Sequence, residues 1–276
     1  MRARPDEPIT EDYLATNREL WDAWTAIHES SDFYDVDTFR AGGNTLHSIE
    51  LELVGDVAGK DLLHLQCHFG LDTLSWARRG ARVTGVDFSE PAIALARELA
   101  ENQGLAAEFV CREVTSLPEE WTDRFDVVFT SYGVLPWLPD LGAWARTIAR
   151  VLAPNGRFFL VEFHPFATML DEEGRIRHPY FRSDVPDRYE LQGSYADREA
   201  PVEHEAFEWA FSLSDVHTAL VGAGLTIRRM REYPFSPFGC YDFLEQTGPD
   251  RWEVRGSEVD EPLVFALEAA PDRVAR

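Results

Sequence analysis

The chain has 276 residues, 45% hydrophobic and 27% charged, an ordinary globular balance with length enough for one large domain. With 26 basic against 49 acidic residues the formal net charge is -23, which repels phosphate backbones and anionic lipid heads and argues against nucleic-acid and membrane partners. Cys67, Cys111 and Cys240 are odd in number and widely spaced, no window approaches the roughly 20 apolar residues of a membrane span, and the polar start Met1–Asp6 has no apolar leader, so a cytoplasmic protein, monomer or homodimer, is expected.

Residues 1–58 read as an N-terminal helical cap rich in aromatics: Tyr13, Trp21, Trp24, Phe33, Tyr34 and Phe39. Trp21, Trp24 and His28 fall on one helical face, and Gly42-Gly43 punctuates the segment. Residues 59–276 then form the main domain. Short apolar runs predict buried strands at 61–67, 81–87, 107–111, 125–131 and 157–163. Amphipathic stretches at about 71–79, 90–103 and 140–152 predict helices between them. Ser89 before Pro91 marks a helix start, and Pro154-Asn155-Gly156 reads as a turn. Strand–helix alternation with buried strands predicts a parallel α/β sheet. Residues 164–211 break the alternation with prolines, charges and aromatics, and read as an insertion or lid over the strand ends. A helix at 213–223 and a strand at 225–233 follow, and the pair 251–255 and 263–269 is expected to close the sheet in antiparallel fashion.

In an open α/β sheet, ligands bind beyond the carboxyl ends of the strands where strand order reverses. Here the first strand ends in 64-HLQCHFG-70, with Gly70 allowing close backbone approach, and the second ends at Asp87, placed to accept bonds from two ribose hydroxyls. These segments resemble the class I S-adenosylmethionine-dependent methyltransferases, whose first motif is an acidic residue followed by three alternating glycines. Only Gly70 of those glycines remains; His64 stands for the acid, and Gln66 and His68 for the first two glycines. The variant is similar to bacterial small-molecule methyltransferases carrying HLQCHFG.

The resemblance implies a Rossmann-like three-layer sandwich: a seven-stranded, mostly parallel sheet with an antiparallel last strand, an N-terminal helical cap and an insertion after the fifth strand. It implies S-adenosyl-L-methionine as cofactor. The residues it assigns to that cofactor are His64, Gln66, Cys67, Gly70, Asp72, Asp87 and Phe88 at the first two strand ends, Glu113 and Val114 after the third strand, and Ser131 and Tyr132 at the fourth. With the acid replaced by His64, Gln66 or Asp72 must help to hold the methionine amino group; Asp72 is equally a helix-start carboxylate. His64, Cys67 and His68 alternate across a strand and no second cluster completes a ligand set, so no metal is expected.

Methyl transfer is an in-line displacement, and a hydroxyl acceptor also needs a base. His164 and then Glu162, at the end of the fifth strand, are the candidate bases, and Tyr195, Glu203 and His204 are further candidates in the insertion. Trp24, Tyr34, Tyr180 and Tyr195 are the candidate acceptor contacts, and the many aromatics point to an apolar or aromatic small molecule. O-methylation is expected before N- or C-methylation. The rivals are a nicotinamide-dependent oxidoreductase, which Gln66 and His68 would obstruct at the pyrophosphate, and a non-catalytic ligand-binding relative, favoured by the altered first motif.

Overall fold

The central strands form where this sequence buries both faces, and most helices where it buries one. The computed structural model describes residues 12–272; Met1–Asp6 and the rest of the expected cap up to residue 11 lie outside the described residues. Three helices come first: α1 (Tyr13–Glu29), α2 (Val36–Arg40) and α3 (Ser48–Val54). The alternating segment is β1 (Asp61–Leu65), α4 (Leu71–Arg78), β2 (Arg82–Asp87), α5 (Glu90–Asn102), β3 (Ala107–Cys111), β4 (Phe125–Ser131), α6 (Leu141–Val151) and β5 (Leu152–Phe163). Then follow the hairpin β6 (Asp187–Gln192) and β7 (Glu203–Glu208), α7 (Leu213–Gly222), β8 (Leu225–Tyr233), the hairpin β9 (Leu244–Gly248) and β10 (Arg251–Val254), and β11 (Val264–Pro271).

Seven strands make one sheet in the order β3-β2-β1-β4-β5-β11-β8. β1 to β5 are parallel, and β11 runs antiparallel to both of its neighbours. Alternation along the strands sorts the core. Leu62, Val83, Val127 and Phe159 pack under Ile49 and Leu53 of α3 and Trp76 of α4, while Phe109 packs under Ile93 and Ala96 of α5. Leu63, Val86, Val128 and Phe158 face the other way, onto Trp144 and Ile148 of α6 and Leu220 of α7. The result is three layers. The helix ends match their signals: Ser89 Oγ accepts the Ala92 N–H (3.3 Å) at the start of α5.

Three expectations differ in the structure. α3 packs into the core of the sheet, so residues 48–54 belong to its helical layer, and α1 and α2 are the helices that extend beyond it. Pro154-Asn155-Gly156 lies inside β5, where a register shift against β4 absorbs it, instead of forming a separate turn. Residues 251–254 pair with β9 in a hairpin of their own; of the expected closing pair only β11 enters the sheet, slotted between β5 and β8. The sequence of β9, Leu-Glu-Gln-Thr-Gly, is polar and mostly exposed, which hid it from a search for buried runs. Among the described residues, no helix is long and apolar enough to cross a membrane.

Strand order reverses between β1, whose chain continues to β2 and β3 on one side, and β4, which continues to β5 on the other. Gly70 starts α4 beside this point with φ +78°, and a Cβ there would lie 2.6 Å from the Phe109 ring and 3.1 Å from Ala96 Cβ. Gly85 on β2 lies against the same ring. Gly70→Ala therefore combines backbone strain with a clash, and a urea melt should show a loss of about 1–3 kcal/mol.

Candidate functional site

The loop leaving β1 keeps a left-handed backbone at every second residue. φ is +56° at Gln66, +51° at His68 and +78° at Gly70. Side chains rarely adopt this conformation, because Cβ crowds the following carbonyl. The alternation that the sequence loses as glycines survives as conformation. Asp87, at the end of β2, holds the middle of the loop: its Oδ2 accepts the His68 N–H at 2.8 Å, and its Oδ1 accepts the Ser89 N–H at 3.0 Å. Burial pushes this carboxyl up to about 6.

The His68 ring is held from α1. Its Nε2 lies 2.9 Å from His28 Nδ1, so one ring donates and the other accepts. Burial pushes His28 down to about 3 and His68 well below its ordinary value, so both are neutral near pH 7. Among the described residues, nothing bonds the buried atoms His68 Nδ1, His28 Nε2 and Gln66 Oε1. Gln66 Nε2 donates to the Val134 carbonyl (3.2 Å).

His64 is also buried and neutral, its pKa lowered to about 3. It bonds Thr73 Oγ1 (2.8 Å) and reaches Ser131 Oγ (3.4 Å). Ser131 Oγ in turn donates to Asp72 Oδ2 (3.3 Å), and Thr45 Oγ1 donates to Asp72 Oδ1 (2.6 Å). A carboxylate is thus present one hydroxyl away from His64, on the first turn of α4. Burial pushes the Asp72 carboxyl up, and the Thr45 hydrogen bond opposes the shift.

The loop after β4 is held by Glu162. Tyr132 and Gly133 take φ +23° and +72°, turning the chain so that consecutive N–H groups converge. Glu162, fully buried on β5, accepts the N–H groups of Gly133, Val134 (2.8 Å), Leu135 (3.0 Å) and Phe163 (2.7 Å). Burial raises its carboxyl while these donors pull it back. Tyr132 Oη donates to Glu50 of α3 (3.0 Å).

These elements surround a cavity of about 1050 Å³, at the upper end of the ~300–1,000 Å³ typical of single-ligand pockets. His64, Gln66, Cys67, Gly70, Asp72, Asp87, Phe88, Glu113, Val114, Ser131, Tyr132 and Glu162 all line it, with Tyr34 and Tyr195. The Tyr34 and Tyr195 hydroxyls bond each other, tying the segment after α1 to the β6–β7 connection. Cys67 is buried and its thiol is pushed well up, so it packs as an apolar residue.

Several expected residues lie elsewhere. His164 sits one residue beyond β5 and does not line the cavity: its Nδ1 accepts the Phe166 N–H (3.0 Å) and its Nε2 faces Glu232 Oε1 (2.9 Å), so both ring nitrogens are engaged. Glu162 is committed to four N–H groups and acts as a loop anchor, not a free base. Trp24 is buried behind the wall, donating from its indole to Gly193 O (2.9 Å), and Trp21 takes its place at the cavity. Tyr180 packs edge-on against Phe181 outside the cavity, and Glu203 and His204 are also outside it. The sequence reading missed Thr45, Glu50, Trp137, Glu208, Phe238 and Tyr241. No motif marks them, because each reaches the site through tertiary packing.

Residues 62–156 match the family described as a methyltransferase domain. The ubiquinone biosynthesis O-methyltransferase of Pseudomonas aeruginosa is 36% identical over 139 residues, 50% of this chain and 56% of that protein. The protein of the same name from Aeromonas salmonicida is 34% identical over 106 residues, 38% of this chain and 44% of that protein. The chain thus spans about half the length of the curated relatives it matches. A S-adenosylmethionine-dependent methyltransferase of Mesorhizobium loti superimposes with TM-score 0.56 at 22% identity, covering 79% of this chain and 94% of that one. The Burkholderia thailandensis 1,6-didemethyltoxoflavin-N1-methyltransferase, solved with 1,6-didemethyltoxoflavin and S-adenosylhomocysteine, superimposes with TM-score 0.56 at 19% identity, covering 98% and 95%. At these identities the solved structures establish the shared fold.

Glu162→Gln would turn an amide NH₂ toward N–H groups that need an acceptor. Denaturant unfolding should show a loss of at least about 2 kcal/mol, since hydrogen bonds to a charged group contribute about 1.5–3 kcal/mol each.

Proposed function

We infer that the chain, whose residues 62–156 match a methyltransferase-domain family, is a class I S-adenosylmethionine-dependent methyltransferase that transfers the methyl group of S-adenosylmethionine to a hydroxyl of a small molecule. The observation that carries this reading is the left-handed 66–68–70 loop fixed by Asp87 at the point where strand order reverses.

The residues present fit that cofactor. Each Asp87 oxygen has accepted one backbone N–H and retains a lone pair for a ribose hydroxyl. Phe88 and Val114 offer apolar surface for the adenine, with Glu113 beside them as an acceptor. Asp72 and the unpartnered Gln66 Oε1 supply acceptors for a methionine ammonium, the work of the acid that His64 replaces. The backbone of Ser131 and Tyr132 flanks the methionine chain.

When bound, the cofactor supplies a methyl group on a positively charged sulfur, which leaves as the neutral thioether. The chain's own part is alignment and exclusion of water. Glu162 fixes the 133–135 loop in place, and Trp21, Tyr34 and Tyr195 close the cavity with rings whose faces favour a cation. An aromatic and carboxylate-rich lining suits an acceptor that is flat and carries no negative charge. The relatives named as O-methyltransferases support a hydroxyl acceptor. Three unpaired cysteines fit a reducing compartment, and we place the protein in the cytoplasm.

Asp87→Asn tests the cofactor site. Its affinity for S-adenosylmethionine, measured calorimetrically, should fall by roughly 1.5–3 kcal/mol, the contribution of charge-assisted hydrogen bonds. The carboxylate is the form that accepts from ribose, so affinity of the native protein should hold above about pH 6 and decline as pH drops through that value. The Asn variant should lose this pH dependence; equal affinity for both proteins would remove Asp87 from the site.

A further inference from the structure

The hairpin of β6 and β7 presents one face to the cavity. Asp187, Tyr189 and Leu191 alternate along that face of β6, and Glu208 of β7 is the register partner of Asp187. The hairpin is held from α1, where Trp24 donates to Gly193 O (2.9 Å), and at two further places. Asn17 of α1 bonds the Phe207 backbone in both directions (2.8 and 2.9 Å), and the Trp209 N–H donates to Pro136 O (2.8 Å). Pro136 continues the loop whose N–H groups Glu162 holds and whose Val134 carbonyl Gln66 reaches. Glu208 is therefore set one residue from a hydrogen bond to the wall of the cofactor crevice.

Its environment separates it from the other carboxylates here. Asp72, Asp87, Glu113 and Glu162 each accept hydrogen bonds from the chain. Among the described residues, no hydrogen bond reaches the Glu208 carboxylate. Tyr241, also at the cavity, feels the charges of both Glu208 and Glu162. Building on the methyl-transfer reading above, we propose that Glu208 is the catalytic base that receives the proton of the acceptor's hydroxyl.

In the step, the acceptor O–H bond breaks and its proton passes to the Glu208 carboxylate. The freed oxygen pair forms the new O–C bond to the methyl carbon, and the C–S bond pair remains on sulfur. The protonated Glu208 then releases its proton to water. The acceptor class is a hydroxylated arene, matched to the aromatic walls of Trp21, Tyr34, Tyr189 and Tyr241. Burial and the facing Asp187 push the Glu208 carboxyl up to about 7, where it can hold a proton transiently at neutral pH. The groups facing it are Asp187 of β6 and Tyr241; Tyr189, on the same face, has its hydroxyl 3.3 Å from His178 Nδ1.

The test supplies S-adenosylmethionine with phenol, catechol, 4-nitrophenol or 1-naphthol, and with aniline and thiophenol, and follows S-adenosylhomocysteine. The native protein should methylate at least one hydroxylated arene, with kcat/KM rising with pH through an inflection near 7. Glu208→Gln should lower kcat by about 10²–10⁴-fold and abolish the inflection, leaving calorimetric S-adenosylmethionine affinity within about threefold. Asp187→Asn should move the inflection to lower pH. A native profile with no inflection near 7, or a Glu208→Gln variant of native turnover, overturns the proposal. So does a native protein that binds S-adenosylmethionine yet methylates only the amine or thiol, or nothing. Absence of S-adenosylmethionine binding by the native protein would instead strike the cofactor reading itself.

Discussion

A buried carboxylate that accepts a peptide N–H from a neighbouring strand end is the constraint on which this site depends. The Asp87 to His68 bond ties the end of β2 to the loop leaving β1. It holds that loop in a conformation that costs about 1 kcal/mol or more per non-glycine residue. Two such residues, Gln66 and His68, are kept left-handed in sequence. The compensation comes from tertiary partners: Val134 O for Gln66, His28 for the His68 ring, and the Phe109 ring packed over Gly70. The side chains gained in place of glycines then serve as walls of the cavity, and they bring buried polar atoms with them.

The second half of the crevice obeys a related rule with the roles exchanged. There the backbone supplies the donors and one side chain collects them. Tyr132 and Gly133 turn the chain so that the next N–H groups point to a common centre, and Glu162 fills that centre. Both halves use a carboxylate to organise backbone, which is why the crevice holds so many acids whose protonation differs. Burial pushes Asp87 up to about 6 and Glu208 up to about 7, while it holds His28 and His64 down to about 3.

The sheet was legible because parallel strands are covered on both sides and read as unbroken apolar runs. Residues 125–131 matched their buried strand end to end, residues 107–111 and 225–233 matched strands at the sheet edges, and Ser89 announced α5 by a local rule. The loop leaving β1 was legible by position and misleading by composition, since left-handed φ at Gln66 and His68 cannot be read from side chains that normally avoid it. His164 was attractive as a histidine at a strand end, but the chain turns there, with the Ala167 N–H bonding His164 O (2.8 Å), and carries the ring away from the cavity. Trp24 and Trp21 lie on nearby positions of one helix and both pack against Trp137 and Tyr195; the Trp24 indole is drawn to Gly193 O behind the wall, and Trp21 borders the cavity. Glu208 left no trace in the sequence, because its significance arises from a hairpin register and from what fails to bond it.

The two hairpins β6–β7 and β9–β10 pair only with themselves among the named strands. The first packs on α1 through Leu20, Trp24 and Ala206, the second on Ala167 and Leu170, and both border a cavity whose opposite wall belongs to the seven-stranded sheet. The sheet and the two hairpins thus contribute to the cavity from different parts of the chain. Turnover of residues on the inner faces of the hairpins can change what enters the cavity while the crevice loop and its carboxylates stay untouched. Such a division lets one scaffold diversify its chemistry by exchanging short β-ribbons, with the sheet serving as the conserved half of a mould and the ribbons as the replaceable half.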